Sequence, residues 1–373
     1  MSDEPTLPVS PQPSGAPGEP TAGAPGTHRR RPRYAGKNPR RFEEKYKEHQ
    51  AEKYAADAAR IEASGKTLAG THRPILVQEI LEVLRPERGE SGVDCTLGYG
   101  GHARELLGRL AAPEGKGAPG RLLGLDVDPW ELPRTEARLR GAGFGPEVFV
   151  ARHSNFAGVG KVLAGLGWGE VDLVLADLGV SSMQLDNPER GFSYKVDGPL
   201  DLRLNPQRGV SAADWLAKVS VAKLTSVLVE NADEPRAAAL AEAMVARREQ
   251  EPWRRTRQLA EGIRAALPGM AREEQDDTVR RVFQALRIAV NDEFSALDMW
   301  LRQLPTVLRP GGRVAVLTFH SGEDRRVKQA FKAGAQSGEY VSVARDVIRP
   351  TPEEQRANPR SSSAKLRWAI RAG

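Results

Sequence analysis

Apolar positions along the chain recur with two different periods. Between residues 75 and 84 they fall at helical spacing, residues 92–97 form a short apolar run that gives way to glycines, and residues 105–110 resume a helix. Residues 121–126 are an apolar run ending in an acid, and residues 129–139 return to helical spacing. The series goes on with a strand at 147–151, a helix at 156–166 and a strand at 171–176. Short apolar runs separated by helices of this length predict βαβ units with a parallel sheet, and so a doubly wound α/β fold. The rhythm returns late, as a helix at 292–308, a turn at Pro310-Gly311-Gly312 and a strand at 313–319. In between, residues 186–289 have the Ala/Leu/Arg/Glu composition of helices, with turns at Asn187-Pro188, Asn205-Pro206, Glu234-Pro235 and Leu267-Pro268. That stretch is read as a helical insertion between two consecutive strands.

Residues 71–185 and 290–373 are accordingly two parts of one α/β domain. Ahead of them, Met1 to Gly26 holds seven prolines and four glycines and almost no large apolar residue, which predicts disorder through residue 41. Arg29, Arg30, Arg31, Arg33, Lys37, Arg40 and Arg41 stand there with no acid among them; the run reads equally as an arm for phosphates or as a solvated tail. Residues 42–70, rich in Ala, Glu and Lys, predict a helical extension. Of the 373 residues 39 % are hydrophobic, enough for a core and too many for wholesale disorder. The single cysteine, Cys95, excludes a disulfide framework or a multi-cysteine metal site, and the six histidines suggest no metal centre by spacing. No apolar run approaches the ~18 residues of a membrane span, and the acidic, proline-rich start is unlike a signal peptide. A cytoplasmic protein without a membrane partner is expected. The formal charge of +6 leans toward an anionic partner.

In doubly wound sheets ligands sit outside the carboxyl ends of the strands. The first strand runs into Gly98-Tyr99-Gly100-Gly101-His102, where glycines let backbone approach a ligand. The second ends in Asp126, placed for the two ribose hydroxyls of a nucleoside-type cofactor; Asp128 reads better as a helix cap ahead of Pro129. The third leads to Phe156, which stacks on an adenine or simply opens a helix as core. The fourth ends at Asp177-Leu178-Gly179-Val180-Ser181-Ser182. This pattern points to a nucleoside cofactor without separating S-adenosylmethionine from a nicotinamide dinucleotide.

Several motifs are more specific. His72-Arg73-Pro74-Ile75-Leu76, the stretch Asp94 to His102, and Asp177-Leu178-Gly179-Val180-Ser181-Ser182-Met183-Gln184-Leu185-Asp186 come first. Glu189-Arg190-Gly191-Phe192-Ser193, Asp197-Gly198-Pro199-Leu200-Asp201-Leu202-Arg203, Phe319-His320-Ser321-Gly322-Glu323-Asp324-Arg325-Arg326-Val327-Lys328 and Asn358 to Arg367 follow. In this order they resemble the MraW-like family, the ribosomal RNA small subunit methyltransferases H. The resemblance spans about residues 71–372. It implies a Rossmann-like, S-adenosylmethionine-dependent methyltransferase sheet; the helical insertion, which enters and leaves beside the crevice, is the expected substrate-recognition element. The implied reaction is methylation of the exocyclic N4 of a decoding-centre cytidine in 16S rRNA, free or within the small ribosomal subunit; a homodimer is left open. It also implies cofactor contacts at Gly100, Gly101, His102, Asp126, Phe156, Asp177 and Gln184, the last on the resemblance alone. The chain departs from the family pattern at Met183 (usually Pro), Gly322 (usually Leu) and Ser361-Ser362 (where an Arg is usual), and in its leader of about 70 residues, which members generally lack.

Cytosine N4 is a poor nucleophile because its lone pair is delocalised into the ring. An enzyme methylating it must align the amine and accept a proton. Asp177 and His320 are the candidate catalytic residues, with His320 equally open to a structural role. Methylation at C5 would need a nucleophilic thiolate, and Cys95 lies inside the first strand, where it reads as a small buried apolar residue. A base presented out of its stack needs an aromatic surface, for which Phe192 and Tyr194 are candidates. Arg190, Arg203, Arg325, Lys328 and Arg367 are candidate phosphate contacts. Two other readings remain: an RNA-binding assembly factor without catalysis, and a nicotinamide-dependent dehydrogenase.

Overall fold

The computed structural model describes residues 74–112 and 117–373. The leader, its basic run and the helical extension expected over residues 1–70 lie outside the described residues, as do His72 and Arg73.

Seven strands form one sheet among the described residues, in the order β3-β2-β1-β4-β5-β7-β6. They are β1 (Ser91–Asp94), β2 (Arg121–Asp126), β3 (Phe149–His153), β4 (Val171–Asp177), β5 (Leu308–Thr318), β6 (Tyr340–Val343) and β7 (Lys365–Arg371). The first five pair in parallel, as the apolar runs predict. Strands covered on both faces read as near-continuous apolar runs, and in β4 every residue but Asp177 is buried. The sheet is not parallel throughout: at one edge β7 runs antiparallel to both β5 and β6. The Pro310-Gly311-Gly312 turn sits inside β5 rather than before it: Val171 faces Leu308 and Leu173 faces Arg313, so four residues of β5 stand against one of β4 and the register shifts there.

Helices cover both faces. On one face α1 (Val77–Leu84), α2 (Gly101–Leu110) and α3 (Glu131–Gly141) pack Ile80, Leu84, Leu106 and Leu110 against Leu122, Phe149 and Leu173. On the other, α4 (Val159–Leu166) joins helices that follow the insertion, with Trp300 fully buried among Val93, Val174 and Val316. Between β4 and β5 come the short α5 (Ser182–Asp186), then α6 (Ala212–Lys218), α7 (Val221–Ala232), α8 (Ala237–Gln250), α9 (Thr256–Ala265) and α10 (Arg272–Asn291). The last five share a core of their own around Leu216, Leu224, Leu228, Leu259 and Val282. Ser211 and Ser220 cap α6 and α7 by accepting the N–H groups of Asp214 and Lys223. Asp292 takes a left-handed conformation (φ 51°) after α10, and α11 (Glu293–Val307) starts at once and returns the chain to β5. Then α12 (Ser321–Ser337) leads to β6, and α13 (Pro352–Ala357) precedes β7. No helix among the described residues is long and apolar enough to cross a membrane.

Candidate functional site

Strand order reverses between β1 and β4, so their carboxyl ends diverge into a crevice, the usual ligand position in such sheets. It holds a cavity of about 480 Å³.

The loop after β1 bends back over β2. Gly100 has φ +81°, and a Cβ there would stand 2.8 Å from the Thr135 methyl of α3, so only glycine keeps this turn closed. Asp126, at the end of β2, accepts the Gly98 N–H on Oδ2 (2.7 Å) and the Asp128 N–H on Oδ1 (2.8 Å). Burial pushes its carboxyl up to about 6, against the pull of those N–H groups. Asp128 does cap α3, its Oδ1 taking the Trp130 and Glu131 N–H groups. Its Oδ2 also takes Arg190 Nη1 (2.6 Å) and Gln184 Nε2 (2.9 Å). Burial raises this carboxyl, but Arg190 and Gln184 outweigh it and hold Asp128 below its ordinary value.

At the end of β4 the Asp177 N–H donates to Thr96 Oγ1 (2.6 Å), which ties β4 to the β1 loop. Burial, and then the nearby Glu323 charge, push the Asp177 carboxyl up to about 7. Its Oδ2 stands 3.5 Å from His102 Nδ1. His102 donates from Nε2 to the Ile75 carbonyl (2.9 Å), so Nδ1 presents a lone pair to Asp177. Burial lowers the proton affinity of His102.

Gly101, His102, Asp126, Phe156, Asp177 and Gln184 all line the cavity, and Gly100 stands behind them. Phe156 meets Trp300 edge-on (5.8 Å), so it is both a core residue and part of the wall. His320 is not on the wall. It caps α12, with Nδ1 accepting the Glu323 N–H (3.4 Å) and Nε2 3.1 Å from Glu323 Oε1; the side chain that reaches the cavity is Glu323.

The substrate-contact expectations fare differently, for none of those seven residues lines the cavity. Arg190 is 4 % exposed and bound to Asp128, and Phe192 belongs to the core of the insertion. Tyr194 packs on Phe283 in the same core. Arg203 is held by both oxygens of Asp201. Arg367 is buried against Asp324 (2.6 Å), and Arg325 pairs with Asp233 at the surface. Lys328 is exposed on α12. The buried ones, Arg190, Phe192 and Arg367, face an internal carboxylate or a core.

Other wall residues were not singled out from the sequence. Arg287 and Asn291, one turn apart at the end of α10, join Glu293, Phe294 and Glu323. Asn291 pins the loop before α6 by donating to the Leu202 carbonyl and accepting the Leu204 N–H. Arg360, also on the wall, bonds Asp186 (2.6 Å). The i, i+4 spacing of Arg287 and Asn291 at the exit of the insertion was the available signal.

Residues 69–372 match the MraW methylase family. Three relatives are similar over almost their whole length. Ribosomal RNA small subunit methyltransferase H 1 of Lachnoclostridium phytofermentans is 48 % identical over 360 residues, 95 % of this chain and 96 % of its own. Ribosomal RNA small subunit methyltransferase H 2 of Alkaliphilus metalliredigens is 49 % identical over 92 % of this chain and 97 % of its own. The H 1 protein of Agathobacter rectalis is 47 % identical over 92 % and 98 %. The alignments above cover 92–95 % of the chain and so run into its first 70 residues, whereas ribosomal RNA small subunit methyltransferase H of Heliobacterium modesticaldum, 41 % identical, matches over 80 % of this chain and 97 % of its own; the leader is shared with some relatives and has no counterpart in others.

Proposed function

The chain belongs to the MraW methylase family, and from that premise we propose that it methylates the exocyclic N4 of a decoding-centre cytidine in 16S rRNA, in the cytoplasm, using S-adenosylmethionine. The observation that carries the reading is the carboxyl of Asp177 on the wall of an acidic cavity at the strand switch point.

The donor set suits this cofactor. S-adenosylmethionine carries a sulfonium and an ammonium against one carboxylate, a net positive charge. Of the acids on the wall, Asp128 is paired with Arg190 and Glu293 with Arg287, while among the described residues neither Asp126 nor Asp177 has an Arg or Lys partner, the neighbour of Asp177 being His102. Of the wall arginines, Arg287 is held by Glu293, and Arg360 binds Asp186 through Nη2 while its buried Nη1 has no hydrogen-bond partner among the described residues. A nicotinamide dinucleotide would bring a pyrophosphate against these carboxylates, which argues against a dehydrogenase. Asp126 would hold the ribose hydroxyls, Phe156 would flank the adenine, and Gln184 with the Gly98–Gly101 loop would close the pocket. When bound, the cofactor supplies a methyl on positive sulfur, which leaves as the sulfur keeps the bonding pair. The chain then has to orient the amine and accept one of its protons, and both tasks are assigned to Asp177, on the cavity wall. C5 chemistry is disfavoured because Cys95 is buried and its thiol is pushed well up by burial.

The test is to supply the protein with methyl-labelled cofactor and small-subunit RNA or assembled subunits, then digest to nucleosides. Label in N4-methylcytidine is expected; label in 5-methylcytidine or on ribose overturns the proposal. A second expectation concerns the cofactor alone. Asp126→Asn keeps a hydrogen-bond acceptor and removes the charge, so the dissociation constant for S-adenosylmethionine should rise about 10- to 30-fold, from loss of a charge-assisted bond worth roughly 1.5–2 kcal/mol. Calorimetric titration checks it, and an unchanged constant removes Asp126 from the cofactor site.

A further inference from the structure

We propose that Glu323 is a second catalytic carboxylate, which accepts one N–H of the target amine while Asp177 accepts the other and takes the released proton. This rests on the amine-methylation reading above.

Glu323 is 3 % exposed and yet reaches the cavity wall. Holding an ionised carboxylate there costs several kcal/mol unless partners offset it, and the partners come from separate elements. Oε2 accepts the Phe319 N–H (2.8 Å), Oε1 lies 3.1 Å from His320 Nε2, and Arg287 of α10 stands 4.0 Å away. Burial raises this carboxyl, but His320 and Arg287 outweigh burial and keep it below its ordinary value. Arg287 is itself gripped by both oxygens of Glu293 on α11, so it neutralises Glu323 only in part. A carboxylate has about four lone-pair sites; the Phe319 N–H uses one, and His320 Nε2 lies close without an aligned hydrogen bond. The rest are available to the cavity. A helix cap at this position would need only a carbonyl oxygen, with neither the charge nor a place on the wall.

The chemistry gives the pair distinct tasks. A planar exocyclic amine has two N–H bonds and a lone pair spread into the ring. One acceptor fixes one N–H; two acceptors hold both and free the lone pair toward the incoming methyl. As the N–C bond forms from that pair, the S–C bond breaks with its electrons left on sulfur, and positive charge develops on nitrogen between two anions. The proton passes from nitrogen to Asp177 and then to water, and Glu323 stays ionised throughout. Two carboxyls whose environments drive their proton affinities apart are the usual mark of such a division. Asp177 faces His102 from α2, Glu323 from α12 and the buried Asp94 of β1; Glu323 faces His320, Arg287 and Asp177.

The wild-type protein is assayed first: absence of N4-methylcytidine ends the amine reading itself. With that product present, Glu323→Gln is compared with wild type. The amide keeps an acceptor for the Phe319 N–H and loses the charge. A fall in kcat of about 100-fold is expected, with cofactor and RNA KM within about twofold. The acid limb of the kcat/KM profile, set by Asp177, should move to lower pH because its negative neighbour is gone. Unchanged kcat, or a fall with the limb unmoved, overturns the proposal in favour of a cap. Should Glu323→Gln fail to fold, Glu323→Asp keeps the charge and retracts it. There kcat should drop at least about tenfold with the limb near its wild-type position, and wild-type turnover overturns the proposal.

Discussion

Asp177→Asn is expected to lower turnover by about 1,000-fold, the range typical for removal of a positioned general base, and at pH 8 to raise the thermal midpoint. The two effects share a cause. The Asp177 carboxyl is pushed from an ordinary value near 3.8 up to about 7, first by burial and then by Glu323. A carboxyl raised on folding favours the protonated folded state. Its stabilising contribution is complete below the unfolded value, diminishes above it, and is lost as pH rises through about 7. Above that, the folded protein carries an ionised group in surroundings that disfavour it, and the neutral amide relieves this. The amide can also donate to His102 Nδ1, which stands 3.5 Å from the carboxylate. A gain of about 1 kcal/mol would shift the midpoint by roughly 2 °C in a domain of this size, and the gap between variant and wild type should close near pH 5. Wild-type kcat/KM should rise with pH through about 7, since the base must be ionised to accept a proton. Turnover within tenfold of wild type rejects Asp177 as the base. Lost turnover with a lower midpoint at pH 8 indicates damage to the fold instead.

That site lies where the sequence is easiest to read. The ends of β2 and β4 are legible because buried parallel strands are near-continuous apolar runs, so the acids that close them, Asp126 and Asp177, announce themselves. Gly100 is legible because few other residues turn so tightly. The far edge was not legible: β6 has four residues, and β7 alternates apolar residues with Lys365, Arg367 and Arg371, giving no run to find. The partners of charged side chains were hidden for another reason. Asp128 and Arg190 are 62 residues apart, and Asp324 and Arg367 are 43 apart, so no local pattern reveals that they meet. From the sequence those arginines look like any exposed cation near an RNA site. His320 likewise stood out as a rare residue at a strand end, while Glu323, three residues on, looked like an ordinary acid in the first turn of a helix. Only the packing of α10 and α11 against that turn brings Arg287 and Glu293 beside it.

Arg190→Ala is expected to cost about 3 kcal/mol of stability, the lower end for breaking a buried ion pair by removing one partner, and to lower the midpoint by roughly 6 °C. Both members are almost fully buried, Arg190 at 4 % and Asp128 at 0 %. Arg190 also donates from Nη2 to the carbonyls of Arg203 (3.2 Å) and Leu204 (2.8 Å). One guanidinium thereby joins the β2 turn to the loop entering α6. Alanine would leave Asp128 with only Gln184 and backbone donors, and would orphan two carbonyls. Arg190→Lys should fall between, since an ammonium lacks the fork that reaches carboxylate and carbonyls together. The pH dependence runs opposite to that of Asp177. Asp128 is held below its ordinary value in the folded protein, so its contribution is present above the unfolded value and is lost as pH falls through the folded one. The stability gap between wild type and Arg190→Ala should therefore narrow under acid conditions. Cofactor affinity should weaken too, because Gln184 and Asp128 both line the cavity. RNA binding offers the decisive contrast. A phosphate contact would, on removal, flatten the dependence of log affinity on log salt by about one. A buried tie leaves that slope unchanged. Normal melting with a flattened slope would make Arg190 an RNA contact and undo its assignment to the interior.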